Sequence, residues 1–240
     1  MSVEVPISKE NLNMYLSELG KRYRKLSGKK TPAEIILIGG ASVLLNYGFR
    51  EITYDADAII LASSAMREAI NYVRDKFDLP HEWLNDGFRK TTSYTNKLFE
   101  VSVYYKSYSN VLTVRTVKAE YLIAMKAMSG RQYKYDLSDI VGVLWEHEQR
   151  GSPIYREDVE RAIVKMYESD EIPEISQETL NDAFSIDSYE LLYQQIRERE
   201  IESKALLVEF DKDNPGVLKG ENISSVIEEM RNIKQSKIED

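Results

Sequence analysis

Apolar residues along the first part of the chain change period several times, and each change marks an element. Leu12, Tyr15, Leu16, Leu19 and Tyr23 recur at three- and four-residue intervals, which predicts a helix from near Lys9 to about residue 26 with one buried face. Residues 34–38 form a short isoleucine-rich run typical of a buried strand, and Gly39-Gly40 ends it. Residues 41–48 (ASVLLNYG) are long enough for a short helix. Residues 54–60 then alternate as a strand does, placing Asp55 and Asp57 on one face and Ala56 and Ala58 on the other. A helix is predicted over 64–77, then a loop holding Pro80, Trp83 and Gly87, then strands over 97–106 and 111–114. From Val117 the pattern is helical, with helices predicted over 118–129, 137–149, 155–167, 188–210 and 222–234. Breaks fall at Gly151-Ser152-Pro153 and Asn214-Pro215-Gly216. Val159, Ala162, Ile163 and Met166 share one face, so this half should pack. The expected fold class is α+β: a small mixed sheet flanked by helices over residues 1–116, followed by a helical C-terminal region over 117–240.

Composition narrows the chemistry. A chain of 240 residues with 42% hydrophobic content can bury a substantial core. It has no cysteine and two histidines, His81 and His147, which excludes thiol catalysis and disulfides and argues against a zinc site or a histidine triad. No apolar run approaches the roughly 20 residues that a membrane helix needs, and no signal peptide is indicated. The expectation is a cytoplasmic protein with no membrane association. The net charge of −8 argues against broad attachment to nucleic acid. Lys21, Arg22, Arg24, Lys25, Lys29 and Lys30 could steer a polyanion such as RNA, but cations also suit the C-terminal end of the first helix, and that reading is the stronger. The segment 194–204, with Arg197, Glu198, Arg199, Glu200 and Glu202, reads as a solvated helix face.

The candidate chemistry lies in residues 34–60. Glycines at Gly39 and Gly40 let a ligand approach the backbone, and the free N–H groups at the start of the following helix favour an anion such as a phosphate, with Ser42 as an added hydroxyl donor. Asp55 and Asp57, one pleat apart, can share magnesium, which takes one or two carboxylates plus substrate phosphates. Together they imply phosphoryl or nucleotidyl transfer. Each residue also has a plainer reading: the glycines as a simple connection, the aspartates as solvated groups on an edge strand.

The order of apolar strand, Gly-Gly, helix and Asp-x-Asp resembles the nucleotidyltransferase superfamily, shared by the beta-type DNA polymerases and the minimal nucleotidyltransferases. Arg50 and Thr53 extend the motif to R-x-x-T-x-D-x-D, a spelling similar to bacterial minimal nucleotidyltransferases related to AbiEii-type toxins. A second block matches: Lys126 and Arg131 within 121–131, then Asp136 and Asp139. In one departure, Gly40 is followed by Ala41-Ser42, where relatives often place the hydroxyl directly after the glycines.

The resemblance implies a magnesium-dependent enzyme that moves a nucleoside monophosphate from a nucleoside triphosphate to an RNA, such as a tRNA end, or to a protein hydroxyl. It implies a toxin-antitoxin or phage-defence role with an antitoxin partner, for which residues after Ile172 are available. Gly39, Gly40, Ser42, Arg50, Thr53 and Arg131 would bind nucleotide. Asp55 and Asp57 would hold Mg2+, and a third carboxylate from a neighbouring strand is expected. Glu100 is the candidate, in a strand-like run that sets Glu100 and Ser102 opposite Val101 and Val103. Lys126 would reach the phosphates, and Asp136 and Asp139 would tune the cations or join the site. The alternatives are a snorkelling Lys126, Asp136 as a helix N-cap, and Arg131 paired with Asp136. Two other functions fit the same fold: a non-catalytic nucleotide-binding or protein-interaction module, and a transferase acting on a small molecule.

Overall fold

The structure is a computed structural model that describes residues 5–91 and 93–239. The chain divides into two compact units. One comprises Met1–Met125 with Ile154–Asp170, the other Lys126–Pro153 with Glu171–Asp240. Among the described residues no helix is long and apolar enough to cross a membrane.

The first unit opens with a short strand β1 (Ile7–Ser8) and helix α1 (Lys9–Ser27). Ser8 caps the helix by accepting from Asn11 N–H, and the five apolar residues expected on its inner face are buried. Then follow β2 (Ala33–Leu37), α2 (Gly39–Asn46), β3 (Ile52–Thr53), β4 (Ala56–Leu61), α3 (Ala65–Phe77) and β5 (Leu84–Asn85). After a 3₁₀ turn at Asn96–Phe99 come β6 (Ser102–Tyr108), β7 (Leu112–Val117) and α4 (Ala119–Ser129), which begins in this unit. Helix α6 (Arg156–Tyr167) returns to it.

The sheet is mixed, in the order β5-β4-β2-β7-β6. Strand β2 lies at its centre, antiparallel to β4 with Leu37 opposite Ala58, and parallel to β7 with Leu37 opposite Thr116. Isoleucines on both faces of β2 are fully buried, as a central strand requires. A separate antiparallel ribbon joins β1 to β3. Helix α1 approaches β6 closely at Gly20, where a Cβ would stand 2.8 Å from Tyr108 Cβ.

The second unit holds α5 (Asp136–Gln149), α7 (Glu174–Ala183), α8 (Tyr189–Asp213) and α9 (Ile223–Glu239). Charged groups occupy its interior at the start of α5. The Lys126 ammonium donates to Asp136 and lies 2.8 Å from a carboxylate oxygen of each of Asp136 and Asp139, and the Arg131 guanidinium donates to Asp136 at 2.8 Å. Burial alone would raise the Asp136 carboxyl, but the charges of Lys126 and Arg131 outweigh it and hold it at about 2. Asp136 is the first helical residue, not the N-cap, which is Tyr135.

From α8, the buried Glu200 accepts from the N–H of Leu137 at 2.9 Å and is hydrogen-bonded to the Ser138 hydroxyl. Burial pushes this carboxyl up, and the neighbouring Asp139 charge adds to it, to about 8. Glu200 therefore lies inside the fold, not on the expected solvated face. Leu192, Ile196, Glu200, Ser203 and Leu207 form one buried stripe at helical spacing.

Two outcomes are expected. Gly20→Ala gains helix propensity of about 1 kcal/mol but is forced onto a Cβ that cannot swing away. A net loss of about 1–2 kcal/mol should appear as a lower denaturation midpoint. Glu200 binds its proton more tightly folded than unfolded, so its contribution is full below its ordinary value of 4.5 and disappears as pH rises through about 8. Urea titrations from pH 5 to 9 should show wild type losing stability relative to Glu200→Gln as pH rises, and a constant difference would refute that assignment.

Candidate active site

Strand β2 ends beside the start of β4. The N–H of Ile38 donates to the carbonyl of Asp57 at 3.0 Å, one bond beyond the last paired residues of the two strands. The chain then turns through Gly39, whose φ of +51° lies in the left-handed region. The two glycines are themselves the first residues of α2, not a turn ahead of it. No side chain caps this helix, so the N–H groups of its first turn are directed out of its end, next to Asp57.

The R-x-x-T-x-D-x-D spacing has a local explanation. A Cβ on Gly40 would stand 2.7 Å from Arg50 Nη2 and 2.9 Å from Thr53 Oγ1, so both side chains lie directly against that glycine. Arg50 is buried, its Nε donating to the carbonyl of Ile52 at 3.2 Å, and the Thr53 hydroxyl donates to the carbonyl of Asp55 at 3.1 Å. A guanidinium and a helix N-terminus thus share one end of the sheet, with the Asp-x-Asp backbone tied to the same glycine. Ala56 and Ala58 are buried, whereas Asp55 is exposed and Asp57 half-buried, so the two carboxylates leave on the opposite face of β4, which is covered again only from the fully buried Ile59 onward. Asp55 stands one residue before β4.

Other expected residues lie elsewhere. Ser42 is fully buried and its hydroxyl accepts from the N–H of Val117 at 3.2 Å, tying α2 to the end of β7 rather than facing the turn. Glu100 is not in a strand: it follows the 3₁₀ turn, in helical conformation and exposed. It precedes β6, three places from β4 in the sheet, or roughly 14 Å at the usual strand spacing. The strands that flank β4 bring Ile38 and Asn85 to the level of Asp57. Among the described residues no three acidic or histidine side chains are grouped to hold a metal. The Asp55 and Asp57 pair still fits magnesium that arrives with a nucleotide, because such an ion needs one or two carboxylates and takes its other oxygens from phosphates and water.

Lys126, Arg131, Asp136 and Asp139 belong to the second unit, where they bind one another. In the basic cluster near the end of α1, Lys21 pairs with Glu18, Arg22 with Glu68, and Arg24 donates to the carbonyl of Ser109.

A family model described as a nucleotidyltransferase of unknown function (DUF6036) matches residues 14–145, more than half of the chain and a segment that contains both motif blocks. Searches of curated proteins and of solved structures each found no match. Strand, glycine pair, Asp-x-Asp and the matched segment agree: the chain belongs to the DUF6036 family of nucleotidyltransferases of unknown function.

Proposed function

We propose that this protein is a magnesium-dependent nucleotidyltransferase that moves a nucleoside monophosphate from a nucleoside triphosphate to a hydroxyl of an RNA, such as a tRNA end, or of a protein. The observation that carries the reading is the Ile38 to Asp57 hydrogen bond, which holds the glycine turn beside the carboxylate pair. The N–H groups of the first turn of α2 receive the triphosphate, and the Arg50 guanidinium against Gly40 adds positive charge there. Asp55 and Asp57 hold Mg2+, which when bound supplies Lewis-acid polarisation of the phosphoryl oxygens. With the triphosphate so oriented, the acceptor hydroxyl attacks the α-phosphorus, the α–β bridging bond breaks, pyrophosphate leaves and the hydroxyl proton passes to solvent. Neither Lys126 nor Glu100 is given a role in this step: the first is held by two aspartates and the second lies three strands away.

The biological role we favour is the toxin of a toxin-antitoxin or phage-defence pair, supported by the resemblance of the motif to AbiEii-type proteins. Helices α7 to α9, after Ile172, lie beyond the family-matched segment and are where an antitoxin partner would bind. A second reading is a module that binds nucleotide without turnover, favoured because among the described residues no three acidic or histidine side chains are grouped to hold a metal.

Purified protein incubated with magnesium, each labelled nucleoside triphosphate and total cellular RNA separates these readings. Label on RNA or on protein should fall by about a hundredfold or more in Asp55→Ala/Asp57→Ala. Nucleotide binding without transfer to any acceptor, small molecules included, would establish the non-catalytic module. Gly40→Ala displaces Arg50 or Thr53 from the turn, so nucleotide affinity in calorimetric titration should weaken about tenfold or more.

A further inference from the structure

We propose that Lys118 binds the β- and γ-phosphates of the nucleoside triphosphate, on the side of the glycine pair opposite Asp57; this rests on the nucleotidyltransferase reading above. Strand β7 runs parallel to β2, with Thr116 opposite Leu37, so the two strands end side by side. The next residue, Val117, donates its N–H to Ser42 in the first turn of α2 at 3.2 Å. Lys118 follows immediately, exposed, and its carbonyl accepts the first helical hydrogen bond of α4 from Leu122 at 2.8 Å. Helices α2 and α4 therefore begin next to each other, and both N-termini favour negative charge between them.

The central strand is thus flanked by opposite charges at the same end: Asp57 at the start of β4 on one side, Lys118 at the end of β7 on the other. Neighbouring strands lie about 4.8 Å apart, a gap that the four-carbon stem of a lysine spans.

The Lys118 ammonium makes no ion pair or side-chain hydrogen bond among the described residues. The carboxylate nearest in register is Glu100, one strand over, where the carbonyl of Val101 accepts the Lys118 N–H at 3.1 Å, and the two side chains do not pair. Lys126 has the opposite character: it is buried and occupied by Asp136 and Asp139. An exposed ammonium that needs no desolvation and gives up no partner suits a triphosphate whose terminal phosphates gain charge as pyrophosphate departs.

The test is calorimetric titration, at low ionic strength with magnesium, of wild type, Lys118→Ala, Lys118→Arg and Asp57→Ala with each of the four ribonucleoside triphosphates and the matching monophosphates. Lys118→Ala should weaken triphosphate binding by about ten- to a hundredfold and leave monophosphate binding unchanged, and Lys118→Arg should restore most of the loss. Triphosphate binding equal to wild type in Lys118→Ala, with loss in Asp57→Ala, overturns the role of Lys118 and leaves the functional reading standing. Equal weakening toward triphosphate and monophosphate assigns Lys118 to general attraction or to shaping α4 and also overturns it. Wild type that binds none of the four triphosphates overturns this proposal together with the reading on which it rests.

Discussion

The hydrogen bond from Ile38 N–H to the Asp57 carbonyl is the constraint on which the candidate site depends. It extends the antiparallel pairing of β2 and β4 to the last residue before the glycines, so the point where the backbone turns and the point where a carboxylate leaves the sheet cannot separate. Residues on the two strands around it are buried and apolar, which makes that register costly to shift: a slip by one residue would exchange Ala56 and Ala58 for Asp55 and Asp57 in the core. The same central strand carries β7 on its other edge. A parallel neighbour on one side and an antiparallel one on the other bring the end of β7 and the start of β4 to the same end of the sheet.

Charge is spent differently in the two units. In the second, Lys126 and Arg131 are committed to Asp136, with Asp139 beside the lysine, and removing one member of such a set leaves a buried charge uncompensated, at a cost of about 3–5 kcal/mol. That cluster organises the start of α5 and, through Glu200, joins it to α8. In the first unit the acidic pair stands at one end of the sheet, Asp55 exposed and Asp57 half-buried, and the cations at that end are a guanidinium held against glycine and an exposed lysine. A chain of net charge −8 repels polyanions at long range, so on the proposed reading local cations of this kind would carry the attraction for a phosphate-bearing ligand.

What was legible in the sequence was whatever obeyed a short-range period. The inner face of α1, the apolar strand β2 and the alternation around Asp55 and Asp57 all follow from spacing alone, and the stretch from Arg50 to Asp57 turned out to fold back onto Gly40. Glu100 was misplaced because residues 96–99 are as rich in apolar and bulky side chains as a strand, and nothing local reveals that Thr95 caps a 3₁₀ turn there. Helix α7 escaped notice because Ser176 and Thr179 occupy two of its buried positions. Glu200 was hidden by the charged residues around it, although Ile196 and Ser203 on the same face carried the signal. Lys118 was invisible for a different reason: the role proposed for it rests on strand order, which pairs residues some eighty positions apart.

The claim that the glycine turn and the aspartate pair form one nucleotide–metal site is tested most directly by electron paramagnetic resonance of Mn2+ with the α,β-methylene analogues of the four nucleoside triphosphates. The account predicts a protein-bound Mn2+ signal, distinct from that of the Mn2+–analogue complex in solution, only when protein and analogue are both present, and its loss in Asp57→Asn. Tight Mn2+ binding that persists unchanged in Asp57→Asn would contradict it.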